Sequence, residues 1–277
     1  MPSLPRFPHP WDDLAWFRRL AEAVERETGL ELRAYKETAI VRRVRARCKA
    51  LALPDPEAYA AFAAANPGEA RRFARSLSVA VSGFFRDPAA FAALGRLLPE
   101  LAAPKPPGVP LRFWSLGCSR GQEAFSLAAT ALGALPPGCP FEVLGTDRDE
   151  GALAQARTGE YGEREVEGLS EAQRSRVLEP AGQGRWRVLP EVRARVRFRA
   201  GDLLDPATYP EEQDLVACRN VLIYLRRPVQ TWVLEHLARA LQPGGALVLG
   251  TSETLLGLGA DRFEPWDAQL RIYRKRG

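Results

Sequence analysis

The chain has 277 residues, 46% of them hydrophobic and 26% charged, with a formal net charge of +5. That length and apolar content suffice for one large domain, or for a medium and a small one, with a real core. No stretch approaches the roughly 18 uninterrupted apolar residues of a membrane span, the opening "MPSLPRFPHPWDD" lacks the apolar centre of a signal peptide, and Cys48, Cys118, Cys139 and Cys218 include no C-x-x-C pair. A membrane protein, a disulfide framework and a zinc site are thereby set aside, and a cytoplasmic protein with reduced thiols and no metal is expected.

From Trp11 to about Ala80 the pattern is helical. "WDDLAWFRRLAEAVERETG" closes on Gly29, a C-cap candidate, and "PDPEAYAAFAAANPGEARRFARSLSVA" holds two short helices broken at Pro67. Between them, "VRRVRARCKA" (41–50) carries five basic residues and no acidic one, with Val41, Val44, Cys48 and Leu51 at 3-4-3 spacing. This predicts an amphipathic helix whose exposed face presents Arg42, Arg43, Arg45, Arg47 and Lys49. Such a face suits plain solvation, or docking of an acidic partner, whether nucleic acid or a carboxylate-rich protein. "VSGFFRDPAAFAALGRLLPELAA" starts another helix near Pro88, and "PKPPGVP" (104–110) closes it off as a rigid loop.

The texture then changes. "LRFWSL" (111–116), "FEVLGT" (141–146), "ARVRFR" (194–199), "DLVACRN" (214–220), "ALVLGT" (246–251) and "QLRIYR" (269–274) read as strands, with helices such as "QEAFSLAATALG" and "PVQTWVLEHLARALQ" between them. That alternation predicts a doubly wound, mostly parallel α/β sheet whose ligand sits at the carboxyl ends of the strands, near the switch in strand order. Residues 162–193 interrupt the rhythm with a helix, a glycine turn and a hairpin-like piece, a small insertion. "QPGGALVLG" reads as a helix stop and tight turn, with Gly244 and Gly245 at positive φ. Ser252 and Glu253 follow a strand end and line either a cleft or a loop.

"WSLGCSRGQEAFS" (114–126) poses the central question, because Gly117-Cys118-Ser119-Arg120-Gly121 fits the nucleophile elbow G-x-S-x-G. A hydrolase needs a downstream histidine on a loop. His9 precedes the serine, and His236 sits in a helical pattern. The same letters fit a glycine turn bringing backbone close to a nucleotide-like cofactor, with an acidic residue ending the next strand to take ribose hydroxyls. Asp147 is so placed, 26 residues after Gly121, while Glu123 in the entering helix makes a pyrophosphate a poor fit. A cationic amino-acid tail fits better, as in S-adenosyl-L-methionine (SAM). Asp202, just past another strand, is either an acceptor for an adenine amine or a local loop cap.

Taken together, "FFRDP" (84–88), "WSLGCSRGQEAFSLA" (114–128), "LGTDRDEGALAQARTGEY" (144–161), "FRAGDLLDP" (198–206), "CRNVLIYL" (218–225) and "LQPGGALVLGTSETL" (241–255) resemble the CheR-type chemotaxis protein methyltransferases. The resemblance implies a class I SAM-dependent methyltransferase domain over 81–277, with the inserted subdomain, after a helical, basic receptor-docking domain over 1–80. It implies methyl transfer from SAM to glutamate side chains of chemoreceptor cytoplasmic domains, leaving S-adenosyl-L-homocysteine. Carried over by position, Ser82 and Arg86 line the cofactor and methyl-transfer region, with Gly117 in the glycine turn. Glu123 and Asp147 hold the amino-acid tail and ribose, Asp202 and Leu203 frame the adenine, Arg219 and Asn220 lie under the cofactor, and Tyr224 faces the reacting centre. Arg86 and Tyr224 are the expected catalytic residues. The basic helix from Arg42 to Lys49 resembles the family's docking helix for acidic methylation helices. The implied enzyme is a monomer and neither binds nucleic acid nor inserts into membranes.

Gln122, Ala124 and Phe125 depart from the family's usual Glu, Pro and Tyr, and Ala80 and Asp202 each replace a frequent Asn. A glutamate, with pKa near ~4.3, is already ionised at neutral pH, so this chemistry needs no general base and the scarcity of histidine fits it. Two rival functions stay in view. One is a nucleic-acid methyltransferase tracking phosphates with the basic helix, against which no N-P-P-Y-type motif is present; the other is a non-catalytic SAM-responsive module.

Overall fold

In the computed structural model, residues 7–77, 82–255 and 261–277 are described; Ala80 lies outside them. The chain divides into two compact units, one from residues 4–80 with 223–230, the other from 81–222 with 231–277.

The first unit holds helices α1 (Ala15–Thr28), α2 (Glu37–Leu51), α3 (Pro56–Ala65) and α4 (Pro67–Leu77). Gly29 caps α1 in the left-handed region at φ 66°, donating its N–H to the Glu25 carbonyl at 2.7 Å. Asp55 caps α3 by accepting from the Ala58 N–H at 2.7 Å. Phe17, Leu20, Val24, Ile40, Val44, Tyr59 and Phe73 form the interior.

The inward face of α2 differs from the expected one. Ala39, Ile40 and Val44 are the buried positions, and Arg47, expected on the exposed face, turns inward. Its guanidinium donates to both Glu69 oxygens at 2.7 and 2.8 Å, and the Tyr59 hydroxyl donates to the same carboxylate at 2.9 Å. A long, amphipathic side chain brought an interior carboxylate into pairing reach, which apolar spacing alone does not reveal. Residues 223–230 belong with this unit: the Lys36 N–H donates to the Tyr224 carbonyl at 2.9 Å, and the Arg226 N–H to the Ala34 carbonyl at 2.9 Å.

The second unit is built on strands β1 (Leu111–Leu116), β2 (Phe141–Asp147), β3 (Glu160–Gly162), β4 (Leu178–Gly182), β5 (Arg185–Val188), β6 (Val196–Ala200), β7 (Gln213–Cys218), β8 (Leu241–Leu249), β9 (Phe263–Asp267) and β10 (Ile272–Lys275). Its helices are α5 (Pro88–Ala102), α6 (Gln122–Ala134), α7 (Glu150–Thr158), the short α8 (Glu163–Val166), α9 (Glu171–Ser175) and α10 (Pro190–Arg193), and α11 (Arg227–Ala240), whose first turn lies in the 223–230 segment. Seven strands run in the order β6-β2-β1-β7-β8-β10-β9. All pairings are parallel except those of β10, which is antiparallel to both β8 and β9. The order reverses between β1 and β7, so the crevice beyond their carboxyl ends is where this architecture places a ligand. The insertion forms a three-stranded sheet, β3-β5-β4.

Strand β9 is absent from the sequence reading because Pro265 interrupts it; an edge strand tolerates a proline that a central one does not. Of the two glycines expected at positive φ, only Gly244 is there, at 74°. Gly245 serves a close approach instead, a Cβ on it falling 3.1 Å from the Gln213 carbonyl oxygen.

Candidate functional site

The apolar strand β1 ends at Leu116, and the chain turns through Gly117 to Gly121 into α6. Gly117 is exposed, with φ 70°, and an added Cβ would lie 2.8 Å from Val221 Cγ2. Gly121 has φ 88°, and a Cβ there would meet Phe198 Cζ at 2.7 Å. Both positions exclude a side chain by conformation and by space, Gly121 being buried as well.

The acidic groups gather around this turn. Glu123, in the first turn of α6, accepts from Ser115 Oγ at 2.8 Å through Oε1 and from the Arg219 guanidinium at 3.2 Å through Oε2. Arg219, its side chain only 2% exposed, also donates to Asp87 Oδ2 at 2.8 Å and to the Arg86 carbonyl at 2.7 Å, and lies over the Phe91 ring at 5.4 Å. One buried guanidinium thus ties the "FFRDP" loop, the α6 start and the end of β7 together. Asp147, ending β2, accepts from the Ser119 N–H at 2.8 Å and the Asp149 N–H at 2.9 Å. Burial pushes the Asp147 carboxyl above the ordinary carboxylate range, outweighing those backbone N–H groups. Asp87 and Glu123 therefore share the cation Arg219, while Asp147, held by backbone N–H groups of the same turn, adds a third carboxylate.

The other expected site residues, Tyr224 excepted, lie in the same unit. Asp202 accepts from the Leu204 N–H at 2.8 Å, with Arg148 3.9 Å away, and the Leu203 carbonyl accepts from the Tyr209 hydroxyl. Ser82 is half-buried and Arg86 exposed. Asn220 follows β7 at φ 60°. Tyr224 lies in the 223–230 segment, which belongs with the helical unit.

Strain concentrates here. Among the described residues, the non-glycine positions at positive φ are Ala52, Phe85, Asp87, Ser119, Gln183, Glu212, Asn220 and Arg271. Phe85, Asp87, Ser119 and Asn220 all belong to this site, and each such position costs about 1–3 kcal/mol unless its surroundings enforce it. Phe85 is enforced by its N–H, which donates to Ser126 Oγ at 2.9 Å.

The hydrolase reading fails on geometry. Ser119 Oγ is buried without a hydrogen-bond partner, and His236, on α11, places Nδ1 2.8 Å from the Trp232 carbonyl oxygen one turn back. No base is poised on that serine.

Sequence reasoning did not single out Ser115 or Ser126, both fully buried and each bonding to a site element. A serine within an otherwise apolar strand or helix is their only signal. Glu253, left open between cleft and loop, is buried and accepts four backbone N–H groups, from Asn220, Val221, Leu222 and Gly250.

Residues 80–271 match the family model described as CheR methyltransferase, SAM binding domain, and residues 15–78 match that described as CheR methyltransferase, all-alpha domain. The chain belongs to the CheR methyltransferase family. It is 35% identical over 260 residues, 93% of its own length and 61% of the other's, to a Pseudomonas aeruginosa protein named as a probable biofilm formation methyltransferase, WspC. Chemotaxis protein methyltransferase 1 of the same organism is 41% identical over 184 residues, 63% of this chain and 66% of that one. Chemotaxis protein methyltransferase 2 is 33% identical over 248 residues, 87% and 86% of the two chains. The chain spans 61% and 66% of the length of the first two of these relatives.

Proposed function

We propose that the chain binds SAM at the Gly117–Gly121 turn and transfers its methyl group to glutamate side chains of chemoreceptor cytoplasmic domains, forming methyl esters. The observation that carries the reading is the acidic cradle: Glu123 and Asp87 on one buried arginine, and Asp147 on the Ser119 N–H, at a glycine turn on the switch point of the sheet. A ligand with an ammonium and a sulfonium suits that charge, and ribose hydroxyls suit a strand-end aspartate. When bound, SAM supplies an electrophilic methyl group.

The residues divide the work. Asp147 would hold the ribose hydroxyls and Glu123 the amino-acid tail. Asp202 and Leu203 would frame the adenine, with Ser82, Arg219 and Asn220 completing the binding site. Substitution of Asp202 for an amide keeps an acceptor and adds a charge that Arg148, 3.9 Å away, offsets. Arg86, exposed on a loop held by Arg219, would steer the substrate carboxylate, and Tyr224 would orient the reacting groups. The substrate glutamate arrives ionised at neutral pH, so the protein's contribution is orientation and exclusion of water rather than proton transfer.

Calorimetry with SAM, followed by transfer of radiolabelled methyl to a receptor cytoplasmic fragment, tests this. A base-labile label on the fragment is expected; SAM binding with no label on any acidic receptor helix would reject the substrate assignment. Arg86→Ala and Tyr224→Phe are expected to leave SAM binding largely intact and slow transfer by roughly ten- to a hundredfold, the 1.5–3 kcal/mol range of a charged hydrogen bond. Unchanged turnover in both would remove them from the mechanism.

A further inference from the structure

We infer that Glu253 is a positioning residue for the cradle, fixing the 220–222 turn with its carboxylate and, through Val221, the floor beneath Gly117. The inference rests on the reading that the Gly117–Gly121 turn binds SAM.

The geometry is unusually complete for one side chain. Glu253 is 3% exposed. Its Oε2 accepts from the Gly250 N–H at 2.6 Å and the Asn220 N–H at 2.8 Å, and its Oε1 from the Val221 N–H at 2.9 Å and the Leu222 N–H at 2.7 Å. Three successive amides, beginning with a residue at φ 60°, make a concave nest for an anion, and the anion here is the protein's own. No side-chain cation pairs with it among these contacts. Burial accordingly raises the Glu253 carboxyl above the ordinary carboxylate range, despite four amides that favour its charge.

The four amides offset the cost of burying the Glu253 carboxylate. What it holds is specific: Asn220, an expected cofactor-binding residue, and Val221, whose Cγ2 stands 2.8 Å from where a Gly117 Cβ would be. Gly250 is locked on the other side, since a Cβ on it would meet Asn220 Nδ2 and Glu253 Oε2, each at 2.8 Å. Glu253 thus connects the end of β8 to the end of β7, and Val221 passes that position on to the β1 turn.

The test measures S-adenosyl-L-homocysteine affinity by calorimetry alongside thermal unfolding. Glu253→Gln keeps the shape but turns an NH2 group toward two of the four amide donors. Val221→Ala keeps every hydrogen bond and removes the packing under Gly117. Asp214→Asn is the control: Asp214 is a buried partner of Lys105 and of the Arg112 N–H, apart from the cradle. Expected are a Kd raised at least tenfold in the Glu253 variant and at least threefold in the Val221 variant, both measured well below their unfolding temperatures. The control is expected to lose stability and keep its Kd within twofold. Wild-type affinity in both test variants would overturn the inference, as would a control whose affinity falls in step with its stability. If the Glu253 variant does not fold, the Val221 variant decides. Failure of the wild-type protein to bind the ligand would instead bring down the functional reading itself, and the inference with it.

Discussion

The helical unit and the sheet unit each bury a carboxylate, and they treat it in opposite ways. Glu69 would be pushed up by its burial, but the bidentate Arg47, the Tyr59 hydroxyl and further coulombic attraction, including that of Arg72, more than reverse this and bring it below its ordinary value of 4.5. Among the described residues Asp147 accepts from backbone N–H groups alone, and burial, helped by the nearby Asp149, wins, leaving it above the ordinary 3.8. The first carboxylate has its charge neutralised within the fold. The second keeps a carboxylate whose charge no side-chain cation offsets among the described residues, and the hydroxyls of a ligand can donate to it.

The largest expected effect separates them on stability. Glu69→Ala leaves the half-buried Arg47 unpaired and the buried Tyr59 hydroxyl without its acceptor, and should cost about 3 kcal/mol in urea unfolding. Because the folded Glu69 pKa is depressed, its contribution is present above the unfolded value and is lost as pH falls through the lower folded value. Wild-type protein should therefore lose stability with acid over that window more steeply than the Glu69→Ala variant, which has already lost it. Equal stability of variant and wild type at neutral pH would contradict the pairing.

Next in size is Asp147→Asn, where the comparison predicts the reverse. A raised folded pKa means that ionisation opposes folding: the stability contribution is complete below the unfolded value and is lost as pH rises through the folded one. Removing the charge should move the unfolding temperature little, while SAM affinity drops by roughly ten- to a hundredfold, as for a lost charged hydrogen bond. Wild-type affinity should climb as pH rises through the elevated Asp147 pKa, and the variant should lack that step. Glu253, also raised, titrates in both proteins and cancels from their difference. A variant that melts far lower yet binds normally would place Asp147 with Glu69, as a structural carboxylate.

Most of this contrast was legible in the sequence on one side only. Strand-and-helix alternation after residue 111 gave the sheet, and the acidic residues at 123 and 147 stood out because one follows a glycine turn into a helix and the other ends a strand. The Arg47–Glu69 pair was invisible: an arginine in a run of arginines carries no sign of which one turns inward, since that depends on a carboxylate 22 residues away meeting it across a helix packing. Glu253 was hidden for a related reason. Its partners are backbone amides at 220–222, and backbone amides leave no letter in a sequence. β9 was lost to Pro265, because the rule that demotes a proline-bearing strand also covers the edge strands that tolerate one.

The smallest expected effect falls on the outer face of α2, and it depends on keeping Arg47 apart from its neighbours. Arg42, Arg45 and Lys49 are exposed and Arg43 is half-buried, whereas Arg47 is committed to Glu69. If this face docks acidic receptor helices, each of the four changed to alanine should raise KM for a receptor fragment by roughly two- to fivefold, as exposed charge pairs do. The losses should shrink as salt shortens the screening length from about 10 Å at 0.1 M. Arg47→Ala should instead destabilise the protein, with a KM change that salt does not modulate, because its charge is already paired inside the fold. A salt-dependent KM for Arg47→Ala matching the other four would mean that the inward ion pair opens when a partner docks, and the contrast between the paired carboxylate and the waiting one would then hold only for the unbound protein.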